Sequence, residues 1–292
     1  MKIHTECVPC LLRRIIFEVD QSTTDKDVKN KAIKNACKVL SEQFDLNSCS
    51  ATIATKVHKI VYETLGEKDP YKNLKKQSNK VAESLVPKVE EFLTYSDDPL
   101  RIIIICSIVG NIMDFGIEGV STNPKSLAEV FEDLFVDDLG YDETYDLKKI
   151  LKDSKKVVLF TDNCGEIVFD KILCREIKKF NPNIFLTVVV KGEPIISDAT
   201  LEDIKDLNFE EVVDEVLTTG CFAIGLDFEK IPLELKKALD QADLIICKGM
   251  ANYEAFSETK YHPVAYLLRT KCSPIASSMK LPLNISAVKL YK

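Results

Sequence analysis

Glycine placement constrains this chain more than any other feature. Ten glycines occur in 292 residues, and five of them close apolar runs. RIIIICSIVG, KVVLFTDNCG, IFLTVVVKG, EEVVDEVLTTG and ADLIICKG end at or near Gly110, Gly165, Gly192, Gly220 and Gly249. Runs of this length, rich in Ile and Val, read as buried strands, and helical stretches separate most of them. Strands alternating with helices predict a mostly parallel sheet with helices on both faces. A last stretch, from SPIASSM to VKLYK, is expected to add one or two edge strands.

The first hundred residues have a different texture. No glycine precedes Gly66, and Val28, Ala32, Ile33, Cys37 and Leu40 recur at helical spacing. Residues 69–93 read as one or two further helices, begun by Asp69 and Pro70. The expected organisation is a helical region over 1–98 and an α/β region over 99–292.

Ligands of open parallel sheets bind in the crevice outside the carboxyl ends of the strands. The polar residues at those ends are therefore the candidates. Ser107, Asn111 and Asp114 follow the first run, and Asp162, Asn163 and Glu166 follow the second. Asp198 comes soon after the third, and Lys248, Asn252 and Glu254 sit at the fifth. Two Asp carboxylates and an Asn carbonyl suit Mg²⁺ or Mn²⁺. Lys248, followed by Gly249, is placed to hold a phosphate with its ammonium and nearby backbone N–H groups. The three histidines, His4, His58 and His262, lie away from the glycine-marked ends, which argues against a hydrolytic zinc site built on histidine. Each feature has a plainer account. Asn163 could cap the next helix with Glu166 as its capping-box partner. Asp198 could cap ATLEDIKDL, and Lys248 could be a surface charge. Co-location of all these groups on one sheet edge favours a site.

Composition removes several other classes. The formal charge is −7, which disfavours a surface that must neutralise duplex phosphates. Trp is absent and aromatics are 8%, so stacking platforms for bases are scarce. IIIICSIV is too short to span a bilayer as a helix, and the polar start MKIHTECVPC does not resemble a signal peptide. No nucleic-acid or membrane partner is expected, and a cytoplasmic location is. Ten cysteines scattered along such a chain do not read as a disulfide scaffold; Cys106, Cys174 and Cys247 read as small buried hydrophobes. CVPC at 7–10 leaves two main readings open, with redox chemistry a third and disfavoured one because the motif does not follow a strand of a βαβ unit. It is a helix start with Pro9 in the first turn, or two ligands of a second, structural metal that His4, Cys37 or Cys49 would have to complete.

GNIMDFG, TDNCGEIVFDKIL, KGEPIISDAT and KGMANYE resemble, in order, the motifs of the DUF89 family, also called the damage-control phosphatase or ARMT1-like metal-binding family. CVPCLLRR and DPYKNLKKQSNK are similar to its cysteine-containing microbial branch, and the resemblance covers essentially the whole chain. It implies a Rossmann-like three-layer α/β/α sandwich preceded by a helical region. It also implies a divalent metal (Mn²⁺, Mg²⁺, Co²⁺ or Ni²⁺) held by Asp162, Asn163 and Asp198. The implied activity is metal-dependent hydrolysis of small phosphate esters, such as sugar phosphates or damaged cofactor precursors. In that scheme Lys248 and Gly249 meet the phosphoryl group, and Ser107, Asn111, Asn252 and Glu254 orient substrate. Asp114, Glu166 or Glu254 serves as general base, and an aspartyl-phosphate route through Asp162 ranks lower because Cys164 stands where a second Asp would be. A carboxyl methyltransferase using S-adenosylmethionine and a non-catalytic metabolite or metal binder are the alternatives. No G-x-G-x-x-G turn supports the first of these.

Overall fold

The computed structural model describes residues 1–113 and 139–292. Four helices come first: α1 (Cys7–Ser22), α2 (Lys26–Gln43), α3 (Ser50–Leu65) and α4 (Lys72–Thr94). Asp25 caps α2 by accepting from the Asp27 and Val28 amides, as a short acid at that position should. Residues 72–94 form one continuous helix with Pro87 inside it. Pro9 lies in the first turn of α1, with Cys7 half-buried and Cys10 exposed.

RIIIICSIVG is not a strand. It forms most of helix α5 (Pro99–Val109), capped by the Asp98 side chain, which accepts from Arg101 N at 3.2 Å, and started by Pro99. A short apolar run cannot be told from a buried helix by periodicity, and the Asp-Pro start is the signal that decides. Isoleucine costs about 0.7 kcal/mol at most in helix propensity. Full burial of each side chain returns about 1.5–3 kcal/mol, and Ile103, Ile104, Ile105 and Ile108 are all buried. Burial therefore decides the matter for a helix covered on every side.

Among the described residues the sheet has seven strands, in the order β1-β7-β6-β5-β2-β3-β4. These are β1 (Tyr141–Asp142), β2 (Lys156–Phe160), β3 (Phe185–Val190), β4 (Glu215–Thr218), β5 (Leu244–Lys248), β6 (Val264–Arg269) and β7 (Ser286–Tyr291). All neighbouring strands pair parallel except β6 and β7. The carboxyl-terminal expectation is corrected in two ways. SPIASSM forms a helix, α11 (Ser273–Met279), with Pro274 in its first turn. β7 lies inside the sheet, between β6 and the short edge strand β1, and β6 itself comes from VAYLLR, a run without a closing glycine.

Helices cover both faces. α6 (Thr144–Asp153), α7 (Glu166–Phe180) and α8 (Leu201–Asp206) join α4 and α5 in a core against one face. α9 (Leu233–Gln241), α10 (Gly249–Phe256) and α11 pack on the other. A third apolar cluster joins α1–α3 to Ile195, Ile196 and Ile224, which lie in loops beyond the strand ends. No described helix is long and apolar enough to cross a membrane. The fold is the three-layer arrangement expected, and its geometry fixes where a ligand should go. β2 pairs with β3 on one side and with β5 on the other. The chain therefore reverses direction across the sheet at the β2–β5 boundary, and that crevice is where such sheets bind ligands.

Candidate active site

Four of the five glycine-marked runs do end at the carboxyl edge: Gly165, Gly192, Gly220 and Gly249 follow β2, β3, β4 and β5. Gly110 instead follows helix α5. Phe160 and Cys247 are the last residues paired between β2 and β5, so Asp162 and Gly249, each two positions further on, meet at the switch point. Gly249 has φ +71°, and a Cβ built there would lie 1.9 Å from Asp162 Oδ2. Only a glycine lets the backbone come this close to the carboxylate.

Two turns carry the proposed metal ligands, and backbone bonds join them. Asn163 and Asp198 form an antiparallel bridge. Cys164 N–H donates to the Ser197 carbonyl at 2.8 Å, and Ala199 N–H donates to the Asp162 carbonyl at 2.8 Å. Asp162 Oδ2 accepts from Asn111 Nδ2 and from Asn163 Nδ2, both at 2.8 Å. Asn163 Oδ1 accepts from Ser197 Oγ at 2.6 Å. Asp198 is fully buried with Lys191 Nζ 3.3 Å away, and Lys191 also donates to the Gly225 carbonyl at 2.6 Å.

A second buried group lies behind these turns. Lys248 Nζ donates to Asp170 Oδ1 at 2.8 Å and to the Ser107 carbonyl at 3.2 Å, with Glu166 Oε2 at 3.6 Å. Ser107 Oγ donates to the same Asp170 oxygen at 2.6 Å. Burial disfavours the ammonium of Lys248, but Asp170 and Glu166 outweigh it and hold the pKa above the usual lysine value. Burial pushes Glu166 up to about 8; Lys248 opposes the shift, and Asp162 and Asp170 add to it. Glu166 Oε1 meanwhile accepts from Asn163 N–H at 2.9 Å.

Lys248 is fully buried, and its ammonium faces Asp170 and Glu166. Ser107 belongs to this Lys248–Asp170 cluster. Asn252 ties the two strand ends together, donating to the Thr161 carbonyl at 2.9 Å and the Lys248 carbonyl at 2.7 Å. Glu254 accepts from Ser50 Oγ, and burial raises its pKa. Asp114 lies outside the described residues.

The capping accounts fare differently. Gly165, not Asn163, is the N-cap of α7, although Glu166 does reach back to Asn163 N–H. Asp198 caps nothing here: Thr200 and Asp203 form the capping box of α8. Several site residues escaped the sequence reading. Asp170 follows Glu166 by four residues in an otherwise apolar helix stretch, a spacing that could have revealed it. Lys191-Gly192 repeats the Lys248-Gly249 pattern two strands away, across β2, and that repetition was also legible. Asn79, whose side chain binds Gly165 N–H at 2.7 Å, had no local signal.

The donor set suits a hard cation. Asp162, Asp198, Glu166 and Asp170 are buried together with Lys191 and Lys248, so carboxylates outnumber ammonium groups. Asp and Asn oxygens are hard ligands, and the paired turns bring them together. Among the described residues no group of three or more His, Cys, Asp and Glu has metal-holding geometry, so an Asn163 oxygen is needed to complete a set here. The same holds at Cys7 and Cys10, where no third such ligand joins them.

Gly249→Ala tests the close approach. A left-handed residue with a Cβ costs about 1–2 kcal/mol, and the methyl would displace the Asp162 carboxylate. Displacement by about 1 Å at a reacting centre costs about 10²-fold in rate. Phosphatase assays beside thermal melts should therefore show a larger loss in activity than in stability; an active Gly249→Ala enzyme would show that Asp162 tolerates movement.

The damage-control phosphatase ARMT1-like domain matches residues 3–284. A damage-control phosphatase of Archaeoglobus fulgidus is 41% identical over 292 residues, covering 100% of both chains. A damage-control phosphatase of Pyrococcus horikoshii is 30% identical, over 97% of this chain and 96% of its own. The crystal structure of a DUF89 family protein from Pyrococcus horikoshii superposes with a TM-score of 0.90 at 28% identity, covering all of both chains. With its whole length accounted for in sequence and in fold, the chain belongs to the damage-control phosphatase ARMT1-like family, DUF89.

Proposed function

We propose that this protein is a metal-dependent phosphomonoester hydrolase acting on small phosphorylated metabolites, sugar phosphates or damaged cofactor-precursor phosphates among them. The observation that carries the reading is the pairing of the Asp162-Asn163 and Asp198 turns at the sheet's switch point, with Gly249 packed on Asp162. The names of its relatives from Archaeoglobus and Pyrococcus point the same way. Asp162, Asn163 and Asp198 would hold a divalent cation, Mn²⁺, Mg²⁺, Co²⁺ or Ni²⁺. Bound there, such an ion supplies Lewis-acid polarisation of a phosphoryl oxygen and lowers the pKa of water.

The chain's own residues do the rest. Asn111 and Ser197 hold the Asp162 carboxylate and the Asn163 amide in fixed orientations, so little reorganisation accompanies reaction. Lys191 and Lys248 set the field around the acidic cluster. Glu166, with its pKa near 8, exchanges a proton in the neutral range and is the favoured acid–base group. The ten cysteines are free thiols in this structure, which suits a reducing compartment, and the proposed location is cytoplasmic.

Phosphate release from p-nitrophenyl phosphate and a panel of small phosphate esters tests the reading. Metal-stripped protein should be inactive and should recover turnover with one or more of the four cations. No turnover with any of them would leave a binding site without catalysis.

A further inference from the structure

We propose that Asn79, in the amino-terminal helical region, is a positioning residue that locks the two metal-bearing turns and so sets divalent-cation affinity. The inference rests on the metal reading above. Its basis is a side chain with both ends engaged at the site. Asn79 Oδ1 accepts from Gly165 N–H at 2.7 Å, and Nδ2 donates to Asp203 Oδ1 at 3.0 Å.

The first amides of a helix have no partner within it, and a Ser, Thr, Asp or Asn at the cap commonly supplies one. Helix α7 starts on Gly165, at φ +91°, a residue with no side chain to cap it. The acceptor comes instead from α4, 86 positions away along the chain. Gly165 lies two residues after Asn163. At its other end Asn79 binds Asp203, whose Oδ2 accepts from Thr200 N–H at 2.9 Å and from Thr200 Oγ1 at 3.0 Å. Thr200 lies two residues after Asp198. Cys164 Sγ closes the ring by donating to Asp203 Oδ1 at 3.2 Å. One amide thus spans the turn that carries Asp162 and Asn163 and the turn that carries Asp198.

Other contacts also join the helices to the sheet's loops. Ile224 N–H donates to Thr55 Oγ1 at 2.9 Å, a bond in which no residue of the two turns takes part. Thr55→Val therefore removes a helix-to-loop bond that lies outside the two turns, and it separates positioning from simple cohesion.

The experiment is calorimetric titration of Mn²⁺ into the metal-stripped full chain, beside kcat at saturating Mn²⁺, for the wild type, Asn79→Ala and Thr55→Val. Loss of a partner that orients metal ligands costs about 10–100-fold in affinity. Asn79→Ala should bind Mn²⁺ at least about 10-fold more weakly, with a smaller loss in kcat at saturating Mn²⁺ than in affinity. Thr55→Val should bind like wild type. Should Asn79→Ala fold poorly, the pair Asn79→Asp and Asn79→Asp/Asp203→Asn decides. The double variant keeps an acceptor for Gly165, reverses the 79–203 bond and leaves an oxygen for Thr200, so it should recover Mn²⁺ affinity lost by the single one. Equal binding by wild type and Asn79→Ala, or no recovery in the double variant, overturns the proposal alone. A wild type that does not bind Mn²⁺, Mg²⁺, Co²⁺ or Ni²⁺ overturns the metal reading and this one with it.

Discussion

Asp162→Asn is expected to lose at least about 10³-fold in kcat while the protein stays folded, at unchanged or slightly raised melting temperature. The two halves of this result have one cause. Asp162 is almost fully buried and accepts from two amides at 2.8 Å. Its charge stands near Glu166, whose pKa it raises, and near the other buried carboxylates of the crevice. Without a cation this is an accumulation of like charge, and removing one unit of it relieves repulsion. Both amides donate to Oδ2, a place the oxygen of the isosteric amide can take, so about 1–3 kcal/mol is at stake for the new N–H₂ donor buried there. That cost and the relief are of similar size and opposite sign. Activity has no such compensation. An electrostatic group at a reacting centre is worth about 10²–10³ in kcat, and loss of a metal ligand adds to this. Stability held while function falls is the signature of a site kept at a cost to the fold. Kinetics with added Mn²⁺ and a thermal melt read both halves. A variant that keeps a tenth of wild-type activity would remove Asp162 from the metal site.

The sequence made the sheet edge legible because its signals are local. A strand run, a glycine and a short acid within ten residues identify a carboxyl-terminal turn, and Asp162, Asn163 and Gly249 stand where that logic put them. The errors have equally local causes. RIIIICSIVG carries no period, since every face of α5 is buried, and only Asp98-Pro99 marked it as a helix. β6 lacked a glycine stop and passed unread.

What the sequence could not supply is depth. Ser107 and Lys248 looked like substrate groups, and Glu166 like a general base, because each stands near a turn. In the fold Ser107 and Lys248 bond to Asp170 behind the turn, and Glu166 reaches both sides, accepting from Asn163 N–H with Lys248 Nζ 3.6 Å away. Partners such as Asn79 and Asp203, 124 positions apart, leave no trace in any window of sequence. They become visible only once α4 is packed on α7 and α8.

The Lys248–Asp170 pair should show the largest effect on stability. Lys248 is fully buried, and Asp170 Oδ1 at 2.8 Å is its nearest carboxylate. Asp170→Ala would leave the ammonium with the Ser107 carbonyl and with Glu166 at 3.6 Å, and would also take away the acceptor of Ser107 Oγ. Breaking a buried pair from one side costs about 3–5 kcal/mol. For a chain of this size that is a fall of roughly 6–20 °C in melting temperature, at about 2–4 °C per kcal/mol. Replacing both partners by apolar groups of similar volume is often near neutral, so Asp170→Leu with Lys248→Met should recover most of the loss. The same double variant decides what Lys248 is for. If its ammonium acts on the crevice only through Glu166 and Asp170, the recovered fold will show a changed pH–rate profile, because Glu166 loses Lys248, which opposes its upward shift, and with it Asp170, a smaller contribution of opposite sign. Its apparent pKa should then rise, and the acid form should persist to higher pH. A double variant as unstable as Asp170→Ala would mean that the pair stabilises the fold beyond its mutual neutralisation. A stable one with an unaltered profile would take Glu166 out of the acid–base role.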